Sequence, residues 1–135
     1  MDVVLLIGRI LLAAIFLSSA IGHFRNTDAM AGYAASKGVS QARNGVLLTG
    51  VLALLGSVSI ILGIWIDLGA LLLVAFLIPV TFMMHAFWTQ SDPQARQSEK
   101  IMFHKNLGLL GGALILFWAA HVAGDLPLTI TRSLF

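Results

Sequence analysis

NGVLLTGVLALLGSVSIILGIWIDLGALLLVAFLIPVTFMMHAFW, residues 44–88, carries one charged side chain, Asp67, in its whole length. A helix needs roughly 20 predominantly apolar residues to cross a hydrocarbon core of about 30 Å. The stretch is long enough for two crossings, Asn44 to Ile66 and Leu68 to Trp88, with Asp67 supplying nearly the whole connection. So short a link forces the two helices antiparallel, and the aqueous chain end of the hairpin sits at Asp67. Pro79 falls within the second crossing, where its missing N–H removes one backbone bond and kinks the helix.

Two further stretches reach the same length, Val3 to Phe24, broken only by Arg9, and Ile101 to Val122, with His104, Lys105 and Asn106 near its start. The fold expected is all-α: a four-helix transmembrane bundle occupying residues 1–135 as one domain, with spans at about 3–24, 44–66, 68–88 and 101–122. Of the 135 residues, 59% are hydrophobic and 10% charged, against about 25% charged in soluble domains, and the mean hydropathy is +0.95. The lipid bilayer is therefore the first partner. The opening MDVVLLIG has no Lys and an Asp at position 2, unlike the basic start of a signal peptide, so the first span is expected to be retained.

The chain has no Cys, which excludes disulfides, thiol catalysis and thiolate metal sites within it. A net charge of +2, dispersed along the chain and without interleaved aromatics, gives no basis for nucleic-acid binding. No glycine loop follows a strand to cradle phosphate. Four crossings place both termini and Asp67 on one side, with the loops 25–43 and 89–100 on the other. Arg25, Lys37, Arg43, Arg96, Lys100 and Lys105 lie toward the loops, while Arg9 and Arg132 lie toward the termini. The positive-inside rule then predicts cytoplasmic loops and extracytoplasmic termini in the cell inner (plasma) membrane.

Both loops hold helix signals. In TDAMAGYAASKG, Thr27 is a candidate cap and Gly38 a terminator, which predicts a short interfacial helix. In SDPQARQSEKIMF, Asp92 can cap a helix with Pro93 in its first position, so the fourth span begins as a cytoplasmic extension. Gly108 with Gly112, and Gly56, Ser59 and Gly63, form small-residue faces. Packing inside the bundle is the preferred reading over dimerisation, with a homo-oligomer left open. Arg9 lies roughly 9 Å into the first span, on the same side as Asp67. An Arg9–Asp67 pair or shared water network is expected, anchoring the turn between the second and third spans.

The polar groups of the apolar region gather at the other side. His23 ends the first span, His85 and Trp88 end the third, and His104, Lys105 and Asn106 begin the fourth. Thr81, His85 and Trp88 are spaced by four and three, one face of a continuous helix. His104 and Lys105 point about 100° apart, so at most one of them faces inward. Trp88 and His104 read equally well as ordinary interface anchors. His85, Lys105 and Asn106 together, with His23, favour a ligand pocket, because ionisable groups within a membrane are functional candidates by default. Three His without local ligand spacing or a carboxylate make a poor metal site, and none is expected.

The elements GRILLAAIFLSSAIGHF (8–24), GSVSIILGIW (56–65), PVTFMMHAFW (79–88) and FHKNLGLLGGALIL (103–116) follow one another in a characteristic order. In these the chain resembles the DoxX family of small four-helix membrane proteins, over nearly its whole length. Relatives include a membrane subunit of a thiosulfate:quinone oxidoreductase and a partner of superoxide dismutase and a sulfurtransferase in a membrane complex. The resemblance places Arg9, His23, His85, Phe87, Trp88, Phe103, Lys105 and Asn106 at motif positions. Where many relatives have an acidic residue before a Gly-Gly in the second span, this chain reads ALLGS, with Ala53 and Ser57. The proton-handling role such a carboxylate could have is missing here.

Two functions follow as expectations. The first is a membrane subunit of a redox or stress-defence complex, with no complete active site and no intrinsic cofactor, that holds a quinone or similar ligand. His85 and Lys105 would donate to it and Trp88 would pack on its ring. The absence of haem and iron–sulfur motifs assigns the electron-carrying centre to a partner. The second is a non-catalytic scaffold or small-solute conduit.

Overall fold

A computed structural model describes residues 1–135. Five α-helices follow in order: α1 Asp2–Arg25, α2 Thr27–Ser36, α3 Ala42–Leu62, α4 Ile66–Pro79 and α5 Pro93–Ala123. Between α4 and α5 run a π-helical turn, Val80–Met84, and a 3-10 turn, Phe87–Thr89. Four helical stretches are long and apolar enough to cross a membrane, 2–25, 42–62, 66–89 and 93–123. Helix α1 packs on α3, α3 on α4 and α4 on α5, while α2 lies against the start of α3. The chain is thus a four-helix bundle with a short fifth helix across one end.

Only 26 of the 135 residues are buried, so most apolar side chains point outward, as Leu11, Leu48, Leu55, Ile115 and Trp118 do. In lipid that outward face costs nothing, and close packing rather than hydrophobic exclusion must hold helices together. The interior accordingly uses small residues, with Ala13, Ala20, Ala53, Ala70, Ala113 and Ala120 essentially fully buried. Phe16 and Phe76 fill the middle edge to face, their ring centroids 5.9 Å apart. Helices α3 and α4 cross closely. A Cβ built on Gly56 would lie 2.6 Å from Leu73, and one on Gly69 would lie 2.7 Å from Ser59 Cβ. Gly56 and Ser59 therefore do form the packing face expected of them. Gly63 does not share it: at φ +71° it ends α3, pressed against Arg9 and Thr129. Gly108 meets nothing within 4 Å and Gly112 only Leu12 at 3.5 Å, so the expected packing face on the fourth span is not used there.

Helix α4 has 14 residues, roughly 21 Å of rise, short of the hydrocarbon thickness. Pro79 offers no N–H to the carbonyl of Ala75, and the helix relaxes into the π turn immediately afterwards. The continuous third helix to Trp88 is therefore corrected: Thr81 is fully buried in the π turn and Trp88 is 52% exposed in the 3-10 turn. Trp88 therefore does not continue the helical face of Thr81 and His85.

Capping is partly as expected. Asp92 Oδ2 accepts from the Ala95 N–H at 2.7 Å, with Pro93 in the first turn. Asn26, not Thr27, is the N-cap of α2, and Thr27 instead donates its hydroxyl to the His23 carbonyl at 2.7 Å. Gly38, at φ +85°, ends α2, with its N–H on the Ala35 carbonyl.

The expected Arg9–Asp67 ion pair is absent, and the reason is the C-terminal segment. Arg9, 1% exposed, donates to the carbonyls of Ile60 at 3.1 Å, Ile61 at 3.4 Å, Pro127 at 3.3 Å and Leu128 at 2.9 Å. Asp67, fully buried, accepts on one oxygen from the amides of Leu134 at 2.7 Å and Phe135 at 2.8 Å. Ile130 and Thr131 add backbone bonds to the Gly63 carbonyl. Arg9 and one oxygen of Asp67 are thus met by backbone groups of the folded-back tail, while the other Asp67 oxygen is buried without a partner, and the tail ties down the α3–α4 turn as the pair was expected to do.

Candidate ligand cavity

At the α2 end of the bundle, where the ends of α1 and α4 meet the starts of α3 and α5, lies a cavity of about 650 Å³. Of its 24 lining residues 16 are hydrophobic, which gives it the character of a slot for an apolar body with a few polar fixing points. Four of the five residues expected to bind a ligand line it: His23, His85, Lys105 and Asn106. The fifth, Trp88, does not. It packs edge to face on Phe87 at 5.3 Å and Phe103 at 5.7 Å, outside the cavity, because the chain beyond Pro79 leaves the helical path that would have turned it inward.

Each polar residue is set by its own element. His23 lies in the last turn of α1, where Nδ1 donates to the Ser19 carbonyl at 2.7 Å. A carbonyl can only accept, so Nδ1 carries the hydrogen and Nε2 is left free of that bond. The ring rests edge-on against Phe76 at 5.8 Å. Gly50 of α3 makes room for it, since a Cβ there would lie 2.9 Å from His23 Cβ. Asn106, 4% exposed, points inward from α5. Its neighbour Lys105 reaches the cavity edge and enters no ion pair. His104 turns away, with Nδ1 on the Lys100 carbonyl at 2.7 Å and its ring beside Phe87 and Phe103. At most one of the adjacent pair can meet the cavity at a rotation of about 100°, and Lys105, though exposed, is the one that lines its edge.

His85 stands at the end of the π turn with Nδ1 2.7 Å from Glu99 Oε2. Glu99 was not singled out by the sequence, yet it joins three elements. Its Oε1 accepts the Tyr33 hydroxyl of α2 at 2.7 Å and lies 3.5 Å from Lys37 Nζ. Glu99 lies in the polar turns that precede the apolar run of α5, before the span read from the sequence at about 101–122. Burial alone would push its carboxyl up, but the bonds from Tyr33 and His85 and the charges of Lys37 and His85 outweigh burial, and the net direction is down. The Tyr33 phenol is raised, first by burial and then by its bond to Glu99. No three His, Asp or Glu side chains come together as metal ligands, so His23, His85 and His104 do not form a triad.

The family model for DoxX matches residues 4–86. The chain belongs to the DoxX family. No curated protein and no solved structure matches it significantly. With four apolar helices of spanning length, this DoxX protein is a multi-pass membrane protein. The match is shorter than the resemblance read from the sequence, for it closes one residue after His85 and leaves out FHKNLGLLGGALIL. The family region thus contributes His23, His85 and most of the apolar wall, while Glu99, Lys105 and Asn106 lie beyond it. Ala53 and Ser57 of the ALLGS stretch are fully buried, and Ser57 spends its hydroxyl on the Leu54 carbonyl at 3.0 Å.

Tyr33 and Lys37 were also missed, although they are four apart on α2 and hence on one face. A single Tyr beside a Lys in a loop between spans was the available signal.

Proposed function

We propose that this DoxX protein is the membrane subunit of a redox or oxidative-stress-related complex, and that its cavity holds a quinone or a similar flat acceptor with an apolar tail. The supporting observation is the cavity itself: an apolar slot of about 650 Å³ lined at its polar end by His23, His85, Lys105 and Asn106. A quinone offers two carbonyl acceptors on an apolar ring, so it needs donors at its oxygens and greasy walls elsewhere. Lys105 and the Asn106 amide supply donors, and a histidine Nε2 accepts from a quinol hydroxyl or, when protonated, donates to a carbonyl. Phe16, Phe76 and the methionines of the wall take the place first assigned to Trp88. Reduction of the ring requires two electrons and two protons, and the electrons come from a partner's centre. The reading carries a topology in the cell inner membrane: the cavity end, with Arg25, Lys37, Arg43, Arg96 and Lys100, faces the cytoplasm.

The experiment is extraction and mass analysis of small molecules retained by protein purified from native membranes in mild detergent. A quinone-class compound retained by wild type and by Trp88→Ala, and lost from His85→Ala and Lys105→Ala of unchanged helicity, is expected. Equal retention in all four would remove the reading and leave a scaffold.

A further inference from the structure

Behind the cavity wall stands one carboxylate that touches no cavity space. Glu99 is absent from the lining, yet it bonds two residues that are present in it, Tyr33 and His85. These two come from α2 and from the segment after α4, and Glu99 comes from α5. No other side chain at this end of the bundle hydrogen-bonds to two other elements.

We propose that Glu99 is the positioning residue of the cavity: it fixes His85 as an Nδ1–H donor to the carboxylate, so that Nε2 is the ring nitrogen presented to a bound molecule, and it holds Tyr33 of α2 against the same wall. The argument rests on hydrogen-bond polarity. A carboxylate has only acceptors, so the short contact at Oε2 requires the hydrogen on Nδ1. Free imidazole has no such compulsion. With Nδ1 committed, Nε2 offers a lone pair when the ring is neutral and an N–H when it is charged, so the same atom can meet a hydroxyl or a carbonyl. The other carboxylate oxygen takes Tyr33 and the nearby Lys37. The Lys37 ammonium offsets the cost of holding the anion in a partly buried site, 15% exposed. A histidine oriented by a carboxylate through the far ring nitrogen is a general device for presenting one defined nitrogen to a ligand.

The tautomer can be read without any ligand, which separates this inference from the quinone reading on which its ligand-facing part rests. Protein with 15N-labelled histidine, in detergent at alkaline pH where the rings are neutral, gives one signal pair for each of four histidines. His85→Gln identifies the residue by subtraction. The expected spectrum places the hydrogen of His85 on Nδ1 in wild type and in Tyr33→Phe, and shifts it toward Nε2 in Glu99→Gln, whose amide can itself donate to Nδ1. Wild-type His85 protonated on Nε2, or a Glu99→Gln spectrum equal to wild type, would overturn the proposal. If wild type retains a quinone, Glu99→Gln should weaken retention about tenfold, the loss of roughly one well-placed hydrogen bond, and undiminished affinity counts against the positioning role. Failure of any quinone to bind overturns the previous reading and leaves the tautomer assignment standing.

Discussion

Arg9 and Asp67 grip the same C-terminal segment by opposite polarities: the guanidinium holds the carbonyls of Pro127 and Leu128, and the carboxylate holds the amides of Leu134 and Phe135. Neither charge needs the other. The tail is therefore a structural part of the bundle.

Removing residues 126–135 should lower the melting temperature in detergent, because it strips two of the four acceptors from Arg9 and both donors from Asp67. Arg9→Met should be destabilising alone and add little once the tail is gone. A double-mutant cycle is expected to return about 1–3 kcal/mol of coupling. Additive effects would show that Arg9 and the tail act independently.

Gly69→Ala should destabilise by about 1–3 kcal/mol through overpacking, since the new methyl meets Ser59 and the Gly56 carbonyl at 3.2 Å. Gly108→Ala should be neutral or stabilising by up to about 1 kcal/mol, as the added group meets nothing and alanine favours helix. Denaturation of the two variants in matched detergent measures the contrast.

Glu99 gives the cavity end a pH dependence of defined sign. A carboxyl held below its ordinary value of 4.5 stabilises the fold above that value, and the contribution is lost as pH falls through the lowered folded one. Thermal stability of wild type should thus drop more steeply than that of Glu99→Gln below about pH 4.5. Parallel curves for the two proteins would mean that the carboxylate contributes nothing to the fold.

Reporters fix the orientation. A fusion after Phe135 should score as extracytoplasmic and one inserted near Gly38 as cytoplasmic; the reverse pattern would place the cavity on the outer leaflet.

The spans and the gathering of His23, His85, Lys105 and Asn106 were legible because hydropathy sets the crossings and their number sets which ends meet. Trp88 was misplaced because its position was projected along an ideal helix, and Pro79 breaks that projection. Glu99 was passed over for a different reason. Among Arg96, Lys100 and other polar residues it looks solvated, and its partner Tyr33 is 66 positions away, brought near only by the way α2 lies across the bundle end. The Arg9 pairing failed because its actual acceptors are backbone carbonyls, which leave no mark on residue type.

The grip of Arg9 on the tail has a consequence for biogenesis. During synthesis the first span enters the membrane with its guanidinium already committed to the bilayer, while Leu128, its acceptor at 2.9 Å, lies 119 residues later in the chain. All four spans precede that carbonyl in the chain. Until residues 127 and 128 are made, Arg9 lacks two of its four carbonyl acceptors, so consolidation of the α3–α4 turn waits on them.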